Sequence, residues 1–315
     1  MLDAVPRRLR FGVQLQAQRT TWPDYQAAVS AVEDLSFDAV WTFDHMLPFS
    51  GPDDGACFET WTTLTAMACQ TRRVRIGALV NGVLYRDPAT LAKSAAMVDL
   101  ISGGRLEFAL GPAWAEREFR AYGLPFPPAA ERLARLDEAL TIVKLLWTQP
   151  RTTYEGRYYA VHDAPCEPKP PQKPYPPIMV GGNGRGTLRI AARHADVWNG
   201  IGSPDDCARR IALLREACAE IGRDPGEIEL TVHPLMAIAR THAEAEAMAE
   251  AIARSHGQNL EDEREGWLLG TPEEVRAQVR RYADVGVTQW MIGMGAPFDL
   301  DALRLFAEEA APAFR

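Results

Sequence analysis

Short apolar runs alternate with longer amphipathic stretches along the whole chain. Eight of these runs carry few polar residues, which is typical of strands buried on both faces of a parallel sheet. The predicted strands cover Arg10–Leu15, Asp38–Phe43, Val74–Val80, Arg105–Leu110, Ile178–Gly181, Ala195–Asn199, Ile228–Ala239 and Val287–Gly293.

The stretches between the predicted strands place apolar residues three and four positions apart, which predicts helices with one buried face. Ile101 and Ile221 fall on two of these predicted buried faces. The clearest helix start is Thr271-Pro272-Glu273-Glu274, a capping box with proline at the first helical position. Other helices are predicted from about Pro23, over Glu59–Cys69, from Pro88 to Ile101, over Glu131–Trp147, around Ile211–Ile221, from Ala243 to about Arg254 and over Leu300–Ala310.

Strands that alternate with helices in this way form parallel sheets with right-handed crossovers. Eight such units in 315 residues favour an α/β fold, a closed (β/α)8 TIM barrel, over an open doubly wound sheet. No glycine stands in residues 16–21 after the first strand, so the dinucleotide fingerprint of a Rossmann fold is missing. We therefore predict a single domain over residues 1–315.

Three segments predict insertions at the rim of this barrel. One is the loop from Gly111 to about Pro128, and another is a small hairpin over Thr152–Tyr159. The third, Ala164–Pro177, holds seven prolines and should be stiff and extended. Because it leads directly into the next strand, we interpret it as a connection wrapped over one domain rather than an interdomain linker.

Composition and charge narrow the possible partners. Lysine and arginine number 34 against 42 aspartates and glutamates, a formal net charge of −8, so nucleic acid and anionic membranes are not expected partners. No apolar run is long enough to span a bilayer, and the first eight residues lack the apolar core of a signal peptide. Five scattered cysteines without a CxxC pair predict a cytoplasmic protein with reduced thiols. The six histidines form neither HxH nor HExxH, so no metal site is predicted.

The second predicted strand ends at Asp44 and His45. Active sites of parallel barrels lie at the carboxyl ends of the strands. Histidine titrates near neutral pH, and a neighbouring carboxylate can orient or charge it. The alternative is an aspartate that caps a turn beneath a packed histidine. We predict that His45 acts as general acid/base or polarises the substrate, and that Asp44 orients it or contacts a bound ring.

The segment Gly181-Gly182-Asn183-Gly184-Arg185-Gly186-Thr187 lies between a predicted strand and a helix. Glycines let several backbone amides point into one concavity, and a helix N-terminus adds positive potential. Arg185 and Thr187 offer a charged and a hydroxyl donor. The alternative is an ordinary flexible turn, but four glycines with these two donors favour a phosphate site.

Three other strand ends carry candidate ligand contacts: Leu79-Val80-Asn81, Gly111-Pro112-Ala113-Trp114 and Trp198-Asn199. Small residues after the fourth strand would let a flat ring approach the backbone, whereas Trp114 is a candidate for either the site or the core. Glu59, Glu116 and Glu118 lie in rim segments as possible acids, although most such residues are solvated. The residues assigned to the substrate side are Glu59, Trp114, Trp198 and Asn199.

Longer motifs around these positions resemble one enzyme family. They are Trp41-Thr42-Phe43-Asp44-His45, Phe58-Glu59-Thr60-Trp61, Thr71 to Gly77, Tyr85-Arg86-Asp87-Pro88, Asp99 to Arg105, Pro171-Gln172 and Ala195–Asn199. Over about residues 10–235 the chain resembles the bacterial luciferase-like oxidoreductases. Within that family it is similar to the branch that uses coenzyme F-420, an 8-hydroxy-5-deazaflavin.

The resemblance implies a barrel with the deazaflavin ring in its mouth and hydride transfer between this ring and a small organic substrate. It implies a non-prolyl cis peptide near the end of the third strand. It also implies cofactor contacts from Asp44, Leu79, Val80, Asn81, Gly111, Pro112, Ala113, Gly181, Gly182, Asn183, Gly184 and Arg185.

The chain departs from the family's sugar-phosphate dehydrogenases at two positions. Trp114 stands where they carry a catalytic glutamate, and Phe49 stands where they carry a tryptophan. Oxidation of a sugar phosphate is therefore not expected. The alternative function is an FMN-dependent monooxygenase of the same family, and a non-catalytic ligand-binding barrel is a third possibility. Apolar helix faces of such barrels often pair, so a homodimer is expected.

Overall fold

Eight parallel strands form a closed ring, and the first of them starts at Arg10. The computed structural model describes residues 8–315. Its barrel strands are β1 Arg10–Leu15, β2 Ala39–Thr42, β3 Arg75–Ala78, β4 Leu106–Gly111, β5 Ile178–Gly181, β6 Val197–Gly200, β7 Glu229–Val232 and β8 Gln289–Met294.

The pairing order closes this sheet on itself. β1 pairs in parallel with both β2 and β8, and the ring is completed where Ile76 of β3 lies opposite Leu106 of β4. Side chains on the strands are almost all buried, as the lack of polar alternation predicts. The predicted (β/α)8 TIM barrel is confirmed.

Helices surround the barrel and follow the predicted segments within a few residues. They are α1 Trp22–Asp34, α2 Thr60–Gln70, α3 Pro88–Ser102, α4 Glu116–Ala121, α5 Ala129–Thr148, α6 Arg185–His194, α7 Pro204–Glu220, α8 His242–His256, α9 Leu260–Glu263, α10 Pro272–Asp284 and α11 Leu300–Leu305. The chain continues from α11 in a π-helical turn over Phe306–Ala310. The capping box at Thr271 is confirmed, with the hydroxyl accepting from the Glu274 amide.

Two details of the helix prediction are wrong. Ile101 and Ile221 are 41% and 50% exposed, although their spacing placed them on buried faces. Ile101 lies in the last turn of α3 and Ile221 directly follows α7. Val98 and Ser102 of the same turn are buried, so Ile101 lies on the side of α3 that faces away from the core, and Ile221 lies beyond the last helical residue of α7.

The predicted strand over Ile228–Ala239 divides into two pieces. Its first part is β7, which ends at Val232. Pro234 follows, and proline lacks the N–H that a continuing ladder requires. Met236–Ile238 then leaves the barrel and pairs with Leu268–Gly270 instead. These two short strands and α8 form an insertion with a small apolar core of its own.

The rim carries the other predicted insertions. The predicted hairpin is present and joins Thr152–Glu155 to Ala160–Ala164, so its second strand lies beyond the predicted end at Tyr159, and the proline-rich segment leads into β5. The segment from Gly111 to Pro128 is less irregular than expected because it contains α4. Within residues 8–315, no helix is both long and apolar enough to cross a membrane. The first eight residues, whose composition argues against a signal peptide, lie outside the described residues except for Arg8.

The chain bends sharply after β3. The peptide between Leu79 and Val80 is cis, so the predicted non-prolyl cis bond is confirmed. Asn81–Gly82 then pairs with Leu110 and Gly111 at the end of β4. This bend carries the side chain of Val80 inward, toward the mouth of the barrel.

Candidate active site

The carboxyl ends of the barrel strands enclose a cavity of about 300 Å³, here called the active-site cavity. Most of the predicted site residues line it. They are Asp44, His45, Leu79, Val80, Asn81, Gly111, Pro112, Ala113, Trp114, Gly181, Gly182, Asn183 and Asn199. Because parallel strands all end at one edge of the barrel, residues far apart in sequence meet here.

Four predicted residues do not line this cavity. Trp198 is fully buried in the core, and its indole nitrogen donates to the Gly182 carbonyl at 3.0 Å. Glu59 caps α2 and pairs with Arg86. Gly184 and Arg185 are exposed just beyond the wall, at the start of α6. The structure therefore gives Trp198 and Glu59 structural contacts in place of the predicted substrate contacts.

His45 is oriented by a carboxylate, but not by its neighbour in the sequence. Its Nδ1 lies 2.6 Å from Oε1 of Glu118, which comes from α4. A carboxylate only accepts, so Nδ1 carries the proton and Nε2 is left for the cavity. The prediction that Asp44 orients the imidazole is wrong, because Asp44 is turned toward other partners.

Glu118 is completely buried and every contact it makes favours the ionised form. Its other oxygen, Oε2, accepts from the Met46 amide at 2.8 Å and from the Tyr85 hydroxyl at 2.7 Å. Burial by itself raises the pKa of Glu118, but the hydrogen bonds from His45, Met46 and Tyr85 outweigh it and hold that pKa below its usual value. A lone rim glutamate is usually solvated, so sequence reasoning named this residue without finding its role.

Asp44 belongs to a separate network on the cavity wall. Its two carboxylate oxygens both accept from the same nitrogen of Arg86, Nη1, at 2.8 and 3.0 Å, and one of them accepts from the hydroxyl of Thr60 at 2.7 Å. It also accepts from the Gly82 amide at 3.0 Å. Because Arg86 and the Gly82 amide both donate to this carboxylate, Asp44 holds Gly82 in place on the cavity wall.

Arg86→Met should lower the free energy of unfolding by about 3–5 kcal/mol, because it leaves the buried Asp44 carboxylate without its cation. Urea denaturation measures this change. Arg120→Met is the matched control, since Arg120 pairs with Glu116 on the exposed face of α4 and should change stability by less than about 0.5 kcal/mol. Equal effects of the two substitutions would show that the Asp44–Arg86 pair stabilises the fold no more than an exposed ion pair does.

Glycines at the ends of β4 and β5 make room for the inward Val80 side chain. A Cβ on Gly111 would lie 2.7 Å from Val80 Cγ2, and one on Gly181 would lie 2.6 Å from Val80 Cγ1. Neither distance is tolerated between real carbon atoms. The glycines and Val80 therefore form one flat, apolar side of the cavity against which a planar ring can lie.

Polar groups stand at two places around this flat side. The side-chain oxygens of Asn81 and Asn183 are buried without a hydrogen-bond partner in the described chain, and both residues line the cavity. Next to Asn183, Gly184 is the N-cap of α6, and no side chain among residues 8–315 caps the helix there, so its first amides are open to an anion. These groups suit a ligand with ring N–H donors and an anionic tail.

An aromatic cluster forms the side of the cavity that carries His45. Trp114 is 66% exposed, and its ring meets the imidazole edge to face at 5.4 Å. Trp114 therefore lies at the site, and the alternative that it belongs to the core is wrong. Phe43 and Phe49 also pack on the imidazole, at 5.1 and 5.4 Å.

Sequence reasoning missed several lining residues. These are Gln14, Gly82, Tyr85, Ala115, Ile201 and His233. Burial, with a smaller contribution from His256, lowers the pKa of His233 to about 4, so this imidazole is neutral at pH 7. Its Nε2 lies 3.0 Å from the Gln14 side-chain oxygen. The sequence could have indicated His233, because it directly follows β7 and the carboxyl end of every barrel strand faces the site.

The sequence comparisons agree with this architecture. The chain matches the family model described as luciferase-like monooxygenase over residues 8–289. The protein therefore belongs to the luciferase-like monooxygenase family. An F420-dependent glucose-6-phosphate dehydrogenase of Kineococcus radiotolerans is 28% identical over 340 residues, covering 100% of both chains. The FMNH(2)-dependent dimethylsulfone monooxygenase of Pseudomonas putida is 30% identical over 243 residues, covering 76% of this chain and 65% of that one.

Solved structures give the same fold. An F420-dependent secondary alcohol dehydrogenase, in complex with an F420-acetone adduct, superposes with a TM-score of 0.85 over 98% of this chain and 99% of that one. The two sequences are 20% identical. At this level of identity the likeness supports the fold and says nothing about the substrate.

Proposed function

We propose that this protein is an oxidoreductase that transfers a hydride between the deazaflavin coenzyme F-420 and a small organic substrate. The observation that carries the proposal is the His45–Glu118 pair, which stands beside a flat apolar wall at the mouth of a barrel. The relatives named as F420-dependent dehydrogenases support the choice of cofactor. We infer that the chain works as one barrel domain.

The residues present fit such a cofactor. Val80, Gly111 and Gly181 offer a flat surface for the ring, and the unpaired oxygens of Asn81 and Asn183 offer acceptors for ring N–H groups. The open amides at the start of α6 offer a place for the phosphate. When bound, the deazaflavin would supply a carbon that accepts or gives a hydride. Its carbon in place of the flavin nitrogen makes it slow with oxygen.

The chain's own contribution is to place and move one proton. With Nδ1 held by Glu118, the neutral His45 ring presents the lone pair of Nε2, which accepts the proton of an alcohol. In the opposite direction the protonated ring donates to a carbonyl oxygen. The ionised Glu118 carboxylate keeps one tautomer and stabilises the positive charge that develops on the imidazole.

A titration with each cofactor tests this function. We expect the purified protein to bind F-420 more tightly than FMN and to show hydride transfer without oxygen consumption. The alternative, an FMN-dependent monooxygenase, is supported by the P. putida relative. Tighter binding of FMN with consumption of oxygen would favour that alternative and contradict the proposal.

Substitutions at Gly184 test whether the cofactor phosphate binds at the start of α6. A Cβ here meets nothing within 4 Å, so Gly184→Asp and Gly184→Asn both fit, and both residues are good N-caps. Only aspartate adds a negative charge. We expect Gly184→Asp to weaken cofactor binding about 10-fold more than Gly184→Asn does, because like charges repel at close range. Equal affinities of the two variants would place the phosphate elsewhere.

Two further inferences concern assembly and location. Met97, Leu100 and Ile101 on α3 are 36%, 45% and 41% exposed and form an apolar strip, which supports a homodimer. Free cysteines throughout the described chain support a reducing, cytoplasmic location. Light scattering on the purified protein measures the first of these.

A further inference from the structure

A second cavity, of about 310 Å³, lies beside the active-site cavity. We call it the lateral cavity. It is bounded by α8, by the end of β8 and by the residues that follow β1. Met236, Met248, Ile252 and Met294 form its apolar lining. Since one water needs only about 10–15 Å³ of such a cavity, the lateral cavity has room for a molecule much larger than water.

The lateral and active-site cavities are immediate neighbours. Gln14 lines the active-site cavity and Gln16 lines the lateral cavity, and alternate residues of an extended chain are only about 7 Å apart on the same face. His233 also lies on the boundary, because a Cβ on Gly293 in the lateral cavity would be 2.7 Å from its Nε2. One layer of side chains therefore separates the two spaces.

Phe49 completes this boundary. Its ring lies 5.4 Å from the imidazole of His45 and 6.0 Å from that of His256, which lines the lateral cavity. The backbone amide of Phe49 donates to the Gln18 side chain at 2.9 Å. The Phe49 ring therefore bridges a residue of the active-site cavity and a residue of the lateral cavity.

The polar wall of the lateral cavity is pre-arranged and buried. Gln16 and Gln18 are each 3% exposed and Ser50 is 7% exposed. The side-chain oxygen of Gln16 accepts from Gln18 and from His256 Nε2, both at 3.3 Å. Among residues 8–315 the side-chain Nε2 of Gln16 has no acceptor, so a donor on a buried residue is available to a ligand oxygen.

The fixed charges of the lateral cavity cancel. Arg19 and Asp299 line it with opposite charges, the Arg19 guanidinium donates to the Pro52 carbonyl at 3.2 Å, and the Asp299 carboxylate caps α11. Burial lowers the pKa of His256, which keeps this imidazole neutral at pH 7. No lysine lines either cavity in the described part of the chain. An anionic substrate would therefore lose its hydration and meet the Asp299 carboxylate as well as the Arg19 guanidinium, with no net positive charge to hold it.

We propose that the lateral cavity binds the apolar body of an uncharged carbonyl or carbinol substrate, whose reacting carbon lies beside His45 in the active-site cavity. The inference rests on the proposed function and names its substrate class. Reduction of the carbonyl adds a hydride to its carbon, supplied by the reduced cofactor, and a proton to its oxygen, supplied by His45. Oxidation of the carbinol is the reverse.

The test uses two probes of similar shape, benzylacetone as the neutral ketone and phenylbutyrate as the carboxylate. Their dissociation constants are measured by ligand-observed NMR on the cofactor-loaded protein. Met248→Trp fills the lateral cavity and should weaken benzylacetone binding about 10-fold or more. Met248→Leu is the matched control and should bind benzylacetone as the unchanged protein does.

Phenylbutyrate should bind at least about 10-fold more weakly than benzylacetone. Cofactor affinity should be the same in both variants and the unchanged protein. The inference is overturned if the carboxylate binds as well as the ketone, if benzylacetone does not bind, if Met248→Trp has no effect, or if the cofactor displaces benzylacetone. Failure of the proposed function has a different signature, in which benzylacetone binds but no hydride is transferred.

Discussion

His45→Ala should lower the rate of hydride transfer about 10²–10⁴-fold while the cofactor still binds. The expectation follows from the geometry, since Glu118 holds Nδ1 at 2.6 Å and Nε2 has no protein partner in residues 8–315. Without the imidazole, water must exchange the substrate proton. Single-turnover kinetics with the best substrate of a neutral alcohol and ketone screen measure the rate, and a titration measures cofactor affinity.

His242→Ala is the control for this substitution. His242 also lies close to a carboxylate, Glu274, but on the exposed surface of α8, so hydride transfer should be unchanged. A His45→Ala variant that keeps its full rate would remove His45 from the chemistry. A variant that loses cofactor binding together with activity would instead make His45 a binding residue.

Glu118→Gln should lower kcat about 10- to 100-fold and leave KM and cofactor affinity almost unchanged. The loss cannot exceed the whole contribution of His45, because Glu118 acts only through the imidazole. An amide keeps the size of the side chain but lacks the negative charge that stabilises the imidazolium. An NH2 group in the place of Oε2 also accepts neither of the bonds that Oε2 now accepts, from Met46 and Tyr85.

Glu116→Gln separates this effect from a general disturbance of α4. Glu116 lies on the same helix, is exposed and pairs with Arg120, so its replacement should leave kcat unchanged. Urea denaturation of Glu118→Gln controls for stability. Since the lowered pKa of Glu118 stabilises the fold above its ordinary titration range, this contribution is lost as pH falls through the lowered pKa. An unchanged kcat in Glu118→Gln would contradict the positioning role.

The ends of the strands were the most informative feature of the sequence for the site. Asp44, His45, Asn81, Gly111 and Gly181 were all chosen because they follow apolar runs, and all of them line the active-site cavity. Closed parallel barrels bring these ends together whatever the loops do, so a local signal was sufficient. The same logic could have found His233, which follows β7.

Only the tertiary structure shows which carboxylate pairs with His45. Adjacent in sequence, Asp44 and His45 suggested a pair, yet Asp44 binds Arg86 and His45 binds Glu118, 73 positions away. Consecutive side chains along an extended backbone point in opposite directions, so sequence neighbours are poor partners. With six residues, α4 is also too short for its periodicity to predict a helix. The sequence therefore offered no reason to separate Glu118 from the other glutamates of the rim.

By itself the sequence determined the eight-strand barrel, the helix caps, the position of the glycine-rich turn and the rim at which polar residues collect. These depend on periodicity, on backbone-specific residues and on contacts within a few positions of each other. Only the tertiary structure decided which carboxylate orients His45, that Trp198 is core while Trp114 is surface, and that the lateral cavity exists. Each of these depends on packing between segments far apart in the chain, where the free energy comes from burial and complementary charge rather than from local preference.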